Sequence, residues 1–131
     1  NVTEILTDHD KKIMWQDDAS MTSQGSIYYW TKNSSDYSDQ SHEDTAYTYC
    51  NNLALGVFSD WRMPTRDELL SIAKNNSNIK NSPQYGVLYF TSESVDNDTS
   101  NSKAYGMNIG TGGILELSKT FGYHIRCVRS F

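Results

Sequence analysis

The stretch DWRMPTRDELL, residues 60–70, constrains the fold of this 131-residue chain more than any other part of it. Thr65 and Glu68 have the spacing of a capping box, in which each side chain accepts a hydrogen bond from the other residue's backbone N–H. Leu69 and Ile72 follow at helical spacing and form an apolar face. A helix is therefore predicted to begin here, and the acidic residues are interpreted as capping groups rather than catalytic acids.

Trp61 and Arg62 belong to the connection that leads into this helix. Trp61 is predicted to fill core volume, because a tryptophan ring buries a large apolar area. Arg62 is predicted to donate to carbonyls or to a carboxylate that the turn leaves unpaired. Both are interpreted as structural residues, and so is Trp15 in a strand near the start of the chain.

The composition indicates one polar, tyrosine-rich domain that spans residues 1–131. The net charge is -5 and the isoelectric point is near 5.0, so the chain has no basic patch for nucleic acid or anionic lipid. No apolar run is long enough to cross a bilayer, and membrane insertion is not expected. The start at Asn1, without a methionine, favours a processed or excised segment.

The first half of the chain is predicted to contain short strands followed by helices. Residues 13–16 and 26–31 are typical of strands, and the second is rich in aromatic residues. A first helix is predicted to begin at a Ser41 cap and to place Cys50 on its buried face. Two helices are therefore expected, the second being the one that Thr65 caps.

The second half is predicted to combine short strands with polar loops between residues 77 and 120, where Asn, Asp, Ser and Thr are dense. The strand candidates are residues 86–92, 104–109 and 114–117. Residues 123–131 are predicted to form one closing strand, with Ile125 and Cys127 on its inward face.

Cys50 and Cys127 are the two cysteines of the chain. They lack the CxxC spacing and the clustered histidines of zinc or redox sites. From the residues alone they are either a disulfide or two buried thiols. A disulfide would close a loop of roughly 77 residues, which is worth about 4 kcal/mol in the chain-entropy model, and would indicate an oxidising compartment.

Several motifs of the chain resemble one family of bacterial domains. They are IMWQDD near the start, AYTYCNNLALGVFSDWRMPTRDELLSI in the middle, LYFTSES later and YHIRCVR near the end. In this order, and over most of the chain, they are similar to the Lcl C-terminal domain family. The resemblance implies a C-type lectin-like fold, akin to that of the formylglycine-generating enzyme. In such a fold, two helices pack on a small twisted antiparallel sheet, with a long loop region in the C-terminal half.

The same resemblance implies a role for the cysteines. In C-type lectin-like folds a cysteine of the first helix commonly bridges to the last strand, and Cys50 and Cys127 occupy those places. No cysteine then remains for chemistry of the formylglycine-generating type. His9, His42 and His124 have no spacing that pairs one of them with a nucleophile. The chain is therefore expected not to be an enzyme.

The expected function is that of an extracellular ligand-binding module, of the adhesin or lectin type, in a bacterial surface, secreted or periplasmic protein. Tyrosine rings offer stacking faces, and polar side chains offer hydrogen bonds to sugar hydroxyls or polar protein surfaces. The expected partner is a glycan or a protein of a host or cell surface, and sulfated polyanions fit an acidic chain poorly. The candidate ligand-binding residues are Tyr89, Glu93, Asn97, Asn101, Tyr105 and Asn108.

Calcium is the one ion that the sequence suggests. Glu93, Asp96 and Asp98 place hard oxygen ligands close together in the chain. The loop lacks the EF-hand pattern and the Glu-Pro-Asn tripeptide of sugar-binding C-type lectins. A solvated acidic loop is the alternative interpretation.

Two other functions fit the same sequence. One is a structural or assembly module of a surface appendage, within a larger multidomain or oligomeric protein. The other is a hypervariable lectin-fold receptor diversified in its C-terminal part, with which the richness of the chain in Asn, Ser, Tyr and Asp is compatible.

Overall fold

The structure is a computed structural model that describes residues 4–22, 27–73, 79 and 88–131. These residues form an α+β domain with two short helices and three small antiparallel sheets, as the sequence predicts for the fold class. Within these ranges, no helix is both long and apolar enough to cross a membrane.

The first sheet joins the two ends of the described chain. Its order is β1 (Ile5–Asp8), β2 (Ile13–Gln16) and β8 (Val128–Ser130). The strand predicted at residues 13–16 is confirmed, with Trp15 fully buried at its centre. The sequence analysis does not predict β1, and its pairing with β2 defines this strand.

The second sheet is a short ribbon of β3 (Tyr28–Tyr29) and β7 (Gly122–Tyr123). Residue 26 of the predicted strand lies outside the described residues, and the rest of that strand is shorter than expected. The backbone N–H groups of Trp30 and Thr31 both bond to the carbonyl of Lys119 at 3.0 Å. Because of these two hydrogen bonds, the chain leaves the β3–β7 ladder directly after Tyr29.

The third sheet contains β4 (Leu88–Ser94), β5 (Lys103–Asn108) and β6 (Gly113–Ser118), in that order. It confirms the strands predicted in the second half of the chain, except that residues 86 and 87 lie outside the described residues. The strands β4 and β5 are buried on both faces, since each has residues in two different core clusters. Phe90 of β4 and Ala104 of β5 belong to one cluster, and Tyr89 and Met107 belong to the other.

The two core clusters lie on opposite faces of this sheet. The first contains the disulfide, Trp30, Trp61 and Phe90, and it packs around the first helix. The second contains Trp15 and the apolar face of the second helix. The burial predicted for Trp61 is confirmed, and Trp15 is buried as well.

The first helix, α1, is Ala46–Asn52, and its N-cap is Thr45. The Ser41 cap predicted from the sequence is wrong. The Thr45 hydroxyl accepts from the backbone N–H of Thr48 at 3.1 Å, whereas the Ser41 N–H donates to Asp39 in a separate turn. Both Ser41 and Thr45 are common cap residues, and the choice between them depends on where the chain enters the core.

The second helix, α2, is Arg66–Ala73, and it begins as the capping box predicts. The Thr65 N–H donates to Glu68 Oε1 at 2.9 Å, and the Glu68 N–H donates to Thr65 Oγ1 at 3.2 Å. Arg62 donates to both carboxylate oxygens of Glu68, at 2.9 and 2.8 Å. The predicted structural roles of Arg62, Thr65 and Glu68 are therefore confirmed.

The segment after β7 corrects the prediction of one closing strand. Residues 124–127 connect β7 to β8 and belong to neither strand. Burial does not alternate along them. Arg126, predicted to face outward, is only 1% exposed, because its Nη1 donates to the Gln16 carbonyl at 2.6 Å and contacts Asp17. The cation enters the core because acceptors from a distant part of the chain satisfy it.

Cys50 and Cys127 form a disulfide that ties α1 to the residue before β8, with the two Cα atoms 5.5 Å apart. Both cysteines are fully buried. The pairing that the family resemblance implies is thus confirmed, and the bridge crosses the first core cluster.

Candidate functional site

An aromatic pocket opens where the 3₁₀-helix Ala19–Thr22 approaches β3, α1 and β4. Its volume is about 120 Å³. It is lined by Ser20, Met21, Tyr28, Tyr49, Tyr89, His124 and Ile125. These residues come from five separate parts of the chain, so only the tertiary fold assembles the pocket.

Pairing of β3 with the start of α1 builds one wall of the aromatic pocket. Tyr29 forms a parallel bridge with Thr45, the N-cap of α1. This bridge places Tyr28 beside Tyr49, with their ring centroids 4.5 Å apart. The two rings therefore act as one rigid aromatic surface.

Pairing of β4 with the segment after β7 builds the opposite wall. Tyr89 and His124 form a parallel bridge, and the His124 N–H donates to the Leu88 carbonyl at 3.0 Å. The rings of Tyr89 and His124 lie 6.0 Å apart. The backbone thus fixes both side chains at the pocket.

The lining of the aromatic pocket is neutral at physiological pH. Burial raises the pKa of Tyr28, and the nearby Tyr49 raises it further. Burial lowers the pKa of His124, so its imidazole stays uncharged. The described residues that line the pocket offer hydroxyls, one imidazole and ring faces, but no fixed charge.

A buried glutamine orients the hydroxyl of Tyr49. Gln16, which is fully buried, donates from Nε2 to Tyr49 Oη at 2.8 Å and to Asp18 Oδ1 at 3.2 Å. Its Oε1 accepts from the Cys127 N–H at 3.2 Å. Because Tyr49 Oη accepts from Gln16, the phenol proton is directed toward another acceptor, such as a ligand oxygen.

The structure places Tyr89 alone, of the six predicted ligand-binding residues, in this pocket. Tyr28, Tyr49 and His124 are missed by reasoning from the sequence. Tyr28 lies in a segment predicted as an ordinary strand, and Tyr49 lies beside a core cysteine. No local pattern connects these residues, because they are more than 20 positions apart in the chain.

Glu93 and Tyr105 are brought together at the start of α2 by an arginine that the sequence does not single out. Glu93 Oε1 accepts from both the backbone N–H and the Nε of Arg66, each at 2.8 Å. The Arg66 guanidinium lies 3.9 Å from the centroid of the Tyr105 ring. The three side chains form a cation–π and ion-pair cluster that is partly exposed.

A groove, here named the α2 groove, lies next to this cluster. Its volume is about 240 Å³. It is lined by Arg66, Asp67, Leu70, Glu93 and Ile114. It therefore combines an apolar floor from Leu70 and Ile114 with a charged rim.

The three predicted asparagines lie apart from both the aromatic pocket and the α2 groove. Asn97 and Asn101 belong to the loop between β4 and β5, and Asn101 Oδ1 accepts from Lys119 Nζ at 2.9 Å. Asn108 is the last residue of β5, where its Oδ1 accepts from the Gly110 N–H at 2.9 Å. Asn101 and Asn108 thus use their side-chain oxygens in hydrogen bonds within the domain.

Glu93, Asp96 and Asp98 do not converge on a calcium site. Asp98 accepts from the N–H groups of Ser100, Ser102 and Lys103, and hydrogen bonds led by the Ser100 hydroxyl lower its pKa to about 2. Glu93 bonds to Arg66 instead. In the described part of the chain, no three His, Cys, Asp or Glu side chains are grouped to hold a metal. The donor set therefore does not fit a metal ion.

Comparison with known proteins places the whole domain in one family. The Lcl C-terminal domain family matches residues 4–129. The chain belongs to this family. No curated protein matches the chain. The match covers the elements of this Lcl C-terminal domain from β1 to β8, except for the last residue of β8, and it includes the aromatic pocket and the α2 groove.

Proposed function

We propose that this Lcl C-terminal domain is a non-catalytic extracellular binding module of the adhesin or lectin type, and that its aromatic pocket binds a neutral glycan. The observation that carries the proposal is the lining of the pocket, with three tyrosines and one uncharged histidine. Tyrosine rings stack on the apolar face of a sugar, and their hydroxyls bond to sugar hydroxyls.

The charge of the pocket favours a neutral ligand over a sulfated one. Sulfated polyanions need clustered arginines or lysines. The pocket lining contains neither, and the guanidinium of Arg126 lies behind the Tyr89 ring, 5.9 Å from its centroid, where it is buried. A sugar without sulfate or carboxylate groups is therefore the ligand class we propose.

The proposed location outside the cytoplasm and the proposed C-type lectin-like fold rest on the disulfide and on the resemblance. A buried disulfide is compatible with an oxidising compartment, such as the extracellular space or the periplasm. The bridge from α1 to the end of the chain supports a C-type lectin-like arrangement, and so does the presence of two helices.

A glycan array of the oxidised domain tests the proposal, first with Ca²⁺ and then with a chelator. We expect selective binding of neutral glycans that the chelator does not change, since the acidic loop residues are used in other contacts. Binding that disappears with the chelator would contradict the metal-free pocket. No binding in either arm would overturn the glycan proposal.

A pair of matched variants links any binding to the aromatic pocket. Tyr49→Phe removes one hydroxyl from the pocket, and we expect it to weaken glycan binding about fivefold, the effect of one hydrogen bond. Tyr47→Phe makes the same change at an exposed tyrosine of the same helix, 48% exposed, and should leave binding unchanged. Equal affinities of the two variants would place the glycan elsewhere.

A further inference from the structure

The outer side of β6 is a free sheet edge that no described residue covers. β6 is the last strand in the order β4-β5-β6, and its register with β5 runs from Gly113 to Ser118 without a bulge. Its first four residues are exposed. Exposed edges are usually protected by prolines, bulges or covering segments, because they pair readily with other chains. β6 contains no proline and no bulge.

A hydrogen bond on β5 defines which groups of β6 point outward. The Lys103 carbonyl accepts from the N–H of Val95, directly after β4, at 3.0 Å. The backbone groups of an antiparallel strand alternate between its two neighbours, so the odd-numbered residues of β5 bond toward β4. The β6 residues opposite them include Ile114 and Glu116. Their N–H and C=O groups therefore face the free edge.

The side chains of the same two residues lie on the sheet face that α2 covers. Ile114 is opposite Met107, which packs in the core cluster of α2, and Glu116 is opposite Tyr105. Ile114 also lines the α2 groove beside Leu70. A strand added next to β6 would therefore place one side chain in the α2 groove and a second beside Glu116.

The charge of this surface favours a basic partner. The Glu116 side chain is 54% exposed, and its contact with Lys103 Nζ is long, at 3.9 Å, so this exposed pair stabilises little. Asp67 is exposed at the rim of the α2 groove. A lysine or arginine opposite Glu116 would form a favourable cross-strand pair. A second copy of this chain would instead bring another net charge of -5 to the same acidic surface.

We propose that the free edge of β6 binds an extended basic peptide as an additional strand. An apolar side chain of the peptide packs beside Ile114 in the α2 groove, and a lysine or arginine two positions away pairs with Glu116. The backbone of the peptide bonds to the outward groups of both residues, as in other cases of strand addition. This site uses different residues from the aromatic pocket and does not depend on glycan binding.

Hydrogen exchange with a defined peptide tests the proposal. The probe is a short acetylated and amidated peptide in which threonine alternates with valine and lysine. We expect the amides of Ile114 and Glu116 to exchange rapidly in the free domain and slowly in the complex. The Leu115 amide, which faces β5, should be protected in both states. A peptide that leaves exchange at Ile114 and Glu116 unchanged would overturn the proposal.

A charge reversal tests the partner's chemistry. Glu116→Lys should weaken binding of the lysine peptide about fivefold and strengthen binding of a glutamate analogue. Glu43→Lys makes the same change at an exposed residue outside the edge and should have little effect. Equal losses of affinity in both variants would mean that only the net charge of the domain matters, and would contradict the proposed pairing with Glu116.

Self-association is a separate outcome. If the Ile114 and Glu116 amides become more protected as protein concentration rises, without peptide, the edge binds a second copy of the chain and the peptide proposal is wrong.

Discussion

At the scale of single residues, Lys119 is a buried cation that holds three loops together. It is fully buried, with its Nζ 4.1 Å from the centroid of the Trp30 ring. The same atom donates to Asn101 Oδ1 at 2.9 Å and contacts the Tyr37 carbonyl at 3.4 Å. Burial lowers the pKa of Lys119. The cost of burying the charge is offset by these acceptors and by the ring.

Gly106 is a single position where the close packing of β5 can be tested. A Cβ at this position would lie 2.1 Å from Leu117 Cδ1 and 2.8 Å from the Tyr89 carbonyl oxygen. We expect Gly106→Ala to lower the free energy of unfolding by about 1 to 3 kcal/mol, because the backbone of β4 cannot move away. Urea unfolding measures this change. Gly110→Ala, where the nearest atom is Asn108 Oδ1 at 3.3 Å, is the control and should change stability little.

His124 gives the domain a pH-dependent stability. Burial lowers the pKa of His124 below its usual value of 6.5, so the folded state binds fewer protons than the unfolded state between the two values. The contribution of His124 to the free energy of unfolding is therefore fully present above that usual value, and it is lost as pH decreases through the lowered pKa. The melting temperature as a function of pH should show this slope in the native domain and lose it in His124→Gln. A His9→Gln variant, changed at an exposed residue, should retain it.

At the scale of elements, α2 is the unit that organises the second core cluster. The capping box fixes its first turn, and Arg62 extends this network by donating to Ser130 Oγ of β8 at 2.8 Å. The helix then packs Leu69 and Ile72 against the β4-β5-β6 sheet. Residues 60–70 therefore connect the local start of a helix with the contacts between sheets.

The capping hydroxyl of Thr65 should contribute measurably to this unit. We expect Thr65→Ala to reduce the free energy of unfolding by about 1 kcal/mol, because the Glu68 N–H loses its acceptor. Chemical denaturation with the exposed Thr99→Ala variant as control checks the value. A loss of equal size in both variants would mean that the cap has no special role.

At the scale of the whole molecule, the disulfide joins α1 to the end of the chain across the first core cluster. The two cysteines are 77 residues apart in the sequence. The segment between them contains the connection from α1 to α2 and the whole β4-β5-β6 sheet. The walls of the aromatic pocket come from the segments on either side of this bridge, because Tyr49 precedes Cys50 and Ile125 lies near Cys127. The disulfide therefore restrains the geometry of the proposed glycan site.

Removal of the disulfide should destabilise the whole domain. In the chain-entropy model a loop of this length contributes about 4 kcal/mol. We expect the double variant Cys50→Ala, Cys127→Ala to unfold at a much lower urea concentration than the oxidised domain. The reduced native domain should behave in the same way. Unfolding midpoints that coincide with and without the bridge would contradict this role.

Features that depend on contacts between near neighbours can be predicted from the amino-acid sequence. Thr65 and Glu68 are three residues apart, so their capping box and the start of α2 are visible in the chain. The strand pattern around Trp15 is equally local. The motifs that extend over most of the chain also identified the family and, through it, the pairing of Cys50 with Cys127.

Contacts between distant residues depend on tertiary packing and are visible only in the folded domain. Strand β1 exists through its pairing with β2, and Arg126 is buried because acceptors more than 100 positions away satisfy it. The aromatic pocket joins Tyr28 to His124 for the same reason. Local patterns record the preferences of the backbone and of side chains within a turn or strand. They do not record the long-range packing that brings separate segments together, and both proposed binding sites are products of that packing.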